Sequence, residues 1–164
     1  MKKKISIIIK AGLLAGTLDI LSAFLHYYVA TGKDPLFILK YITSAVLGPE
    51  AFSGGTEMYA AGLLLHYFVA FSFTVFFFWL YPQLKILQRN CLATAVFYGL
   101  FIWIIMNLIV VPLSRIGKFP ANVSGMLINA AILIIAIGIP LSFIVSRYYR
   151  KNDPAAISRE RNSQ

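Results

Sequence analysis

The fold is decided by the stretch from residue 5 to residue 30, which reads ISIIIKAGLLAGTLDILSAFLHYYVA. One lysine, one aspartate and one histidine interrupt a run that is otherwise apolar or weakly polar. A helix rises about 1.5 Å per residue, so this stretch would extend about 39 Å, more than the roughly 30 Å hydrocarbon core of a bilayer. The stretch therefore predicts a membrane-spanning helix.

Three more stretches have the same character, and together they predict an all-α integral membrane four-helix bundle. Hydrophobic residues make up 59% of the 164 residues, charged residues 13%, and the mean hydropathy is +0.77. Soluble domains average about 45–50% and 25% for the two classes. This composition excludes a disordered chain, and a single cysteine excludes a disulfide scaffold. We predict a transmembrane domain over residues 1–151 and a polar cytoplasmic tail over 152–164, with spans at Ile5–Ala30, Thr56–Tyr81, Cys91–Val111 and Val123–Ser146.

The distribution of basic residues predicts the topology. The net charge is +9, but eleven of the fifteen lysines and arginines lie on one side of the predicted spans. Four lie on the other side: Lys33, Lys40, Arg115 and Lys118. Basic residues accumulate on the cytoplasmic side of a membrane, which places both termini in the cytoplasm. The excess positive charge is thus explained by the orientation of the protein in the membrane. We expect it to contact the lipid bilayer and to bind no nucleic acid.

A short apolar helix is predicted in the first outer loop. Asp34-Pro35 is suited to begin a helix, and the 12 residues of Leu36–Leu47 are too few to cross a bilayer. Gly48-Pro49 ends this segment. We expect an interfacial or re-entrant helix on the outer face. In the fourth span, Gly138-Ile139-Pro140 predicts a kink.

Few polar side chains lie within the predicted spans, and each is a candidate for function because such groups are costly in hydrocarbon. Five of these side chains are Asp19, His26, His66, Asn107 and Asn129. Counting at about 1.5 Å per residue places all five within about 16 Å of the outer boundary. The inner half is almost wholly apolar. This layering predicts a polar cavity that opens outward above a hydrophobic plug. The candidate ligand- or proton-binding residues are Asp19, His26, His66, Asn107 and Asn129.

Small residues predict how the first two spans pack. Gly12 and Gly16 lie on the same helical stripe as Asp19 and His26, and small residues four apart let another helix approach closely. In the second span, Gly62 precedes His66 by four residues. Gly12, Gly16 and Gly62 are therefore predicted packing positions. Antiparallel packing of the two spans would place His66 between the levels of Asp19 and His26.

Each candidate also has a structural interpretation. Asp19 could lock two helices together through a hydrogen bond. His26 lies beside Tyr27 and Tyr28, where it would join an aromatic belt at the interface. Asn107 and Asn129 would make hydrogen bonds between helices. Aromatic residues at 76–79 and 81 are expected to contact lipid and to end in an interfacial belt.

Three classes of function stay open on the sequence alone. The first is a non-enzymatic membrane protein that associates with itself as a homo-oligomer or with a partner. The second is a transport subunit for a small solute, a cation or a proton, which would use Asp19 and His66. The third is a haem- or metal-binding protein, with His26 and His66 as haem ligands or with Asp19 added around a metal ion. No catalytic residues are predicted, because the enzyme signatures His-Glu-x-x-His and Gly-x-Ser-x-Gly are absent from the sequence.

Three motifs resemble those of the YagU-like family, a group of small bacterial inner-membrane proteins of unassigned activity. They are Gly12-Leu-Leu-Ala-Gly16, Tyr81-Pro-Gln-Leu-Lys85 and Val111-Pro-Leu-Ser-Arg-Ile-Gly117. The likeness is best over residues 66–120. It implies a multispan helical protein of a bacterial inner membrane, and it supplies neither catalytic residues nor a cofactor. The first outer loop is shorter than is usual for this family.

Overall fold

Four long helices form the frame of the molecule. The computed structural model describes residues 2–117 and 123–151 of the chain. Every regular element in these two ranges is helical, and a short 3₁₀ turn at Lys85–Gln88 connects the second and third long helices. The helices are α1 (Lys2–Thr31), α2 (Phe37–Leu47), α3 (Glu50–Ser53), α4 (Thr56–Leu80), α5 (Cys91–Leu113) and α6 (Val123–Lys151).

The four predicted spans correspond to α1, α4, α5 and α6, each long and apolar enough to cross a membrane. The helices differ from the predicted spans by at most five residues at either end, and α6 shows the largest difference because it continues past Ser146 to Lys151. Large apolar side chains point outward, among them Leu64, which is 73% exposed, and Phe68, which is 71% exposed. An outer surface this apolar needs a nonpolar solvent. The architecture is compatible with a four-helix membrane bundle.

The bundle has two distinct ends. Lys2 at the start of α1 and Lys151 at the end of α6 define the termini end, where the 3₁₀ turn also lies. The opposite end, here called the loop end, carries α2 and α3. The predicted tail 152–164 and the basic residue Lys118 lie outside the described residues.

Glycines make the close contact between α1 and α4. A Cβ atom on Gly12 would collide with the ring of Phe71, and one on Gly16 would press on Ala70 and Tyr67. The two predicted packing glycines of α1 therefore lie in this interface. The Tyr67 hydroxyl and the Thr17 hydroxyl, 2.8 Å apart, share a hydrogen bond across it.

A second pair of glycines, which the sequence analysis did not select as packing residues, joins α5 and α6. Gly99 packs against the backbone of Ile134, and Gly138 packs against the carbonyl oxygen of Ala95. Any side chain at either position would overlap backbone atoms. The backbones of α5 and α6 therefore approach each other closely, whereas the glycines of α1 make room for side chains of α4.

Each of these two helices contains a wider, π-helical turn just before a proline. The segment Ile105–Val110 of α5 precedes Pro112, and the segment Ile134–Gly138 of α6 precedes Pro140. Proline has no amide hydrogen, and its ring crowds the carbonyl four residues earlier, so the preceding turn widens. The widened turn of α6 ends at Gly138, where the kink is predicted.

Aromatic side chains fill the space between α4 and α5 near the termini end. The rings of Phe77 and Tyr98 have centroids 4.1 Å apart, and the Tyr98 hydroxyl donates to the carbonyl oxygen of Phe73. The prediction that aromatic residues 76–79 and 81 contact lipid is wrong for Phe77, Phe78 and Tyr81, which are 0%, 1% and 3% exposed. Phe77 packs on the ring of Tyr98 in α5. Phe78 and Tyr81 turn inward because they pack on two adjacent tyrosine rings near the end of α6.

Helix α2 lies across the loop end and is tied to both of its neighbours. It begins at Phe37, two residues after the proline at which a helix start was predicted, because the Asp34 carboxylate accepts the amide hydrogen of Leu36 in a turn before it. The Thr43 hydroxyl donates to the carbonyl oxygen of Met58 at 2.7 Å. On the other side, the amide of Arg115 donates to the carbonyl oxygen of Ala45 at 3.0 Å.

Candidate functional site

A cavity of about 630 Å³ opens among the four long helices at the loop end. Helix α2 forms one side of it through Ile38, Tyr41, Ile42, Ala45 and Val46. The volume is in the range of small-molecule sites, about 300–1,000 Å³.

The cavity has an exposed rim and a buried floor. The rim is formed by exposed lining residues at the loop ends of the helices: Ala30, Thr31, Tyr41, Val46, Val110 and Asn129. Buried residues from all four long helices close the floor: Ile20, Ala70, Ile102, Leu133 and Ile137. Toward the termini end, the space beyond this floor is filled by a core cluster that includes Phe77, Phe78, Tyr98, Leu141 and Val145. Among the described residues the cavity is thus a blind pocket.

All five polar residues selected from the sequence line this cavity. Asp19 and His26 come from α1, His66 from α4, Asn107 from α5 and Asn129 from α6. The first four are half-buried and Asn129 is exposed. They are far apart in the chain, and the packing of the four long helices brings them around one cavity.

His66 is held against the backbone of α1. Its Nε2 atom lies 2.8 Å from the carbonyl oxygen of Gly16. A carbonyl oxygen accepts and never donates, so Nε2 carries the hydrogen in this bond. In the neutral ring, Nδ1 is then the atom with the lone pair. Any proton that His66 takes up must arrive at Nδ1.

Asp19 of α1 and His66 of α4 line the same cavity beside the contact between these two helices. It is the one carboxylate that lines the cavity, and no lysine or arginine is among the lining residues that the structure describes. The anion therefore has a titratable imidazole as its neighbour in place of a permanent cation. A proton or a positively charged ligand would neutralise it.

The contact of His66 shows the register of the interface between α1 and α4. Antiparallel packing was expected to place His66 between the levels of Asp19 and His26. Its ring bonds the Gly16 carbonyl oxygen, about one turn before Asp19 in the chain, and Gly16 itself faces Tyr67 and Ala70. Asp19 and His66 are thus together near the floor, and no hydrogen bond joins His26 to any of the described residues.

Within the described residues, neither asparagine side chain makes a hydrogen bond that joins two helices. The side-chain amide of Asn107 donates to the carbonyl oxygen of Trp103, four residues earlier in its own helix, at 3.0 Å. Asn129 makes no hydrogen bond with residues 2–117 or 123–151. Among the described residues, neither side chain therefore makes the interhelical hydrogen bond predicted for it, and both line the cavity.

The three predicted metal ligands do not converge. Within the described part of the chain, no group of three histidine, cysteine, aspartate or glutamate side chains is close enough to hold a metal ion. The proposed metal site at Asp19, His26 and His66 is therefore absent from these ranges. Haem ligation is also disfavoured, because His66 uses Nε2 for the bond to Gly16.

Tyr41 and Tyr27 line the cavity and were not selected from the sequence as site residues. A phenol is already neutral at physiological pH, and partial burial raises the pKa of the Tyr41 phenol further, so this hydroxyl is able to donate. Its position could have been inferred only by knowing that α2 packs beside α4. The 3.6-residue periodicity of a short helix does not supply that partner.

Comparison with known proteins gives no match for this chain: no family model, no curated protein and no solved structure. The site must therefore be interpreted from its own geometry.

Proposed function

We propose that this chain is a non-enzymatic, multi-pass protein of a bacterial inner membrane that binds a small solute in an outward-facing cavity. The observation that carries the proposal is the space of about 630 Å³ that is lined by all five candidate polar residues selected from the spans. Polar groups are costly in a bilayer unless they face water or a partner. A shared cavity would give these polar groups access to water and to a bound solute.

The charge distribution supports the orientation. Eleven of fifteen basic residues belong to the side of the termini end, so the termini are proposed to be cytoplasmic and the cavity to open to the periplasm. Helix α2 then lies at the outer interface, with apolar Phe37 and Val46 exposed. The inner-membrane location also agrees with the resemblance to the YagU-like family.

Thiol modification tests this proposal. The native cysteine is first removed by Cys91→Ser, and a thiol is then placed on the cavity wall by Ala23→Cys or on the lipid-facing surface by Leu64→Cys. A charged, membrane-impermeant methanethiosulfonate added to intact cells should modify position 23 rapidly and position 64 slowly. Equal rates at the two positions, or modification of position 23 only after the membrane is permeabilised, would contradict an outward-facing aqueous cavity.

Proton-linked transport is the second candidate, favoured by the placement of Asp19 and His66 on the wall of the same cavity. A cation that binds at Asp19 would compete with a proton on Nδ1 of His66, because both neutralise the same carboxylate. Vesicles that contain the protein and a pH-sensitive dye test this exchange under an imposed gradient of tetraethylammonium. The wild type should acidify or alkalinise the lumen according to the direction of the gradient, and Asp19→Asn should not. Identical traces for the two proteins would exclude it.

A further inference from the structure

We propose that the solute is an amphipathic monocation: a single positively charged head, such as a protonated amine, on an apolar body. This inference rests on the proposed solute-binding function and specifies its ligand. The carrying observation is the placement of one carboxylate at the base of a cavity whose walls are otherwise largely apolar.

The charge of the walls selects the sign of the ligand. Asp19 is the lining carboxylate, and the described lining contains no lysine or arginine that could neutralise it permanently or hold an anion. An anionic ligand would place two negative charges together in a poorly solvated space. A wholly apolar ligand would displace water from the carboxylate and supply no group to pair with it, which is costly for a buried charge. A cationic ligand would pair with the Asp19 carboxylate.

The depth of Asp19 in the cavity determines the orientation of the bound ligand. Its chain neighbour Ile20 is 5% exposed and belongs to the cavity floor. The charged head must therefore enter first and reach the floor, while the remainder of the molecule stays nearer to the rim. There it meets apolar side chains, including Ile42, Met106 and Val110. A head without an apolar body would leave these surfaces uncovered.

Aromatic rings add to the preference for a cation. Tyr27, Tyr41 and Phe73 line the cavity on three different helices. The face of an aromatic ring attracts a cation at short range, most strongly where water is excluded. At the rim, the neutral Tyr41 hydroxyl can also accept a hydrogen bond from an ammonium group as it enters.

Three probes with one apolar body and different heads test the assignment: 4-phenylbutylamine, 4-phenylbutanol and 4-phenylbutyrate. The readout is the rate at which N-ethylmaleimide alkylates the thiol of Ala23→Cys in the Cys91→Ser background, because a ligand with its head at Asp19 covers the next turn of α1 with its apolar body. The amine should protect this position at concentrations at least about tenfold lower than the alcohol, and the carboxylate should protect least. The thiol of Leu64→Cys is the control and should not be protected.

Adding Asp19→Asn should remove most of the advantage of the amine while protection by the alcohol changes by less than about twofold. Equal protection by all three heads would overturn the monocation assignment and leave the solute-binding cavity intact. Protection by none of them at position 23 would overturn both. Because the heads are compared within one protein, the assignment can be tested even if Asp19→Asn fails to accumulate.

Discussion

The imidazole of His66 in α4 bonds through Nε2 to the Gly16 carbonyl oxygen of α1, at 2.8 Å. This contact fixes the tautomer of the ring and joins the helices beside Asp19. Nitrogen-15 NMR of the two histidine rings, assigned with His26→Gln, should find Nε2 protonated in neutral His66. A neutral His66 ring protonated at Nδ1 would contradict the arrangement.

The same bond should contribute measurably to stability. His66→Phe keeps a ring of similar size but loses the donor, so we expect the free energy of unfolding in mixed micelles to fall by about 1 kcal/mol. His26→Phe is the matched control, because no hydrogen bond joins His26 to the described residues. It should change the same quantity by less than about 0.5 kcal/mol. Equal losses in the two variants would show that the Gly16 contact contributes nothing.

Gly62 packs against α2 so closely that a methyl group would overlap the carbonyl oxygen of Leu39. Backbone cannot yield as a side chain can, so Gly62→Ala should lower the free energy of unfolding by about 2 kcal/mol or more. Gly16→Ala is the comparison, since its new methyl group would meet side chains of Tyr67 and Ala70. Unfolding in mixed micelles should rank Gly62→Ala as the more damaging change. The reverse order would contradict the packing of α2 on α4.

The Tyr98 hydroxyl donates a hydrogen bond to the carbonyl oxygen of Phe73 and so connects α5 to α4. Tyr98→Phe should lower the free energy of unfolding by about 1 kcal/mol, the usual contribution of one hydrogen bond. Tyr28, 57% exposed on α1, provides the control. If Tyr28→Phe were as destabilising as Tyr98→Phe, the bond would have no part in holding the two helices together.

Asn90 caps the start of α5. Its Oδ1 accepts the amide hydrogens of Leu92 at 2.9 Å and Ala93 at 3.2 Å. Asn90→Ala should therefore destabilise the protein by about 1 kcal/mol in a thermal or denaturant scan, while Asn90→Asp, which keeps the acceptor, should change little. A loss of similar size in both variants would point to some other role for this side chain.

The sequence predicts the long helices well because their signal is length and apolar composition, and both are local properties. It also predicts that Asp19 and His66 belong to one space, since a bilayer leaves polar groups few places to lie. Gly12 and Gly16 were identifiable from their spacing. Asn90 could have been identified in the same way, because asparagine before an apolar run is a common helix cap.

Features that depend on the partner of a helix were not predictable. Gly62 has the spacing of a packing residue, but nothing in its neighbourhood shows that α2 is the element it contacts. Phe77 and Phe78 lie in a run of rings that is equally suited to lipid or to a wide gap between helices. The level of His66 depends on an interface register that is set by contacts between residues about 50 positions apart, as in the pair Thr17 and Tyr67.

The closed floor of the cavity has an electrical consequence. In the proposed orientation, a water-filled cavity would carry the potential of the outer solution inward, so the membrane voltage would fall mainly across the packed layer around Phe77 and Leu141. Displacing one elementary charge through that layer would involve about 2.3 kcal/mol per 100 mV. Asp19 stands at the edge of this focused field, where the energy of any bound ion would be sensitive to whether the cell is energised.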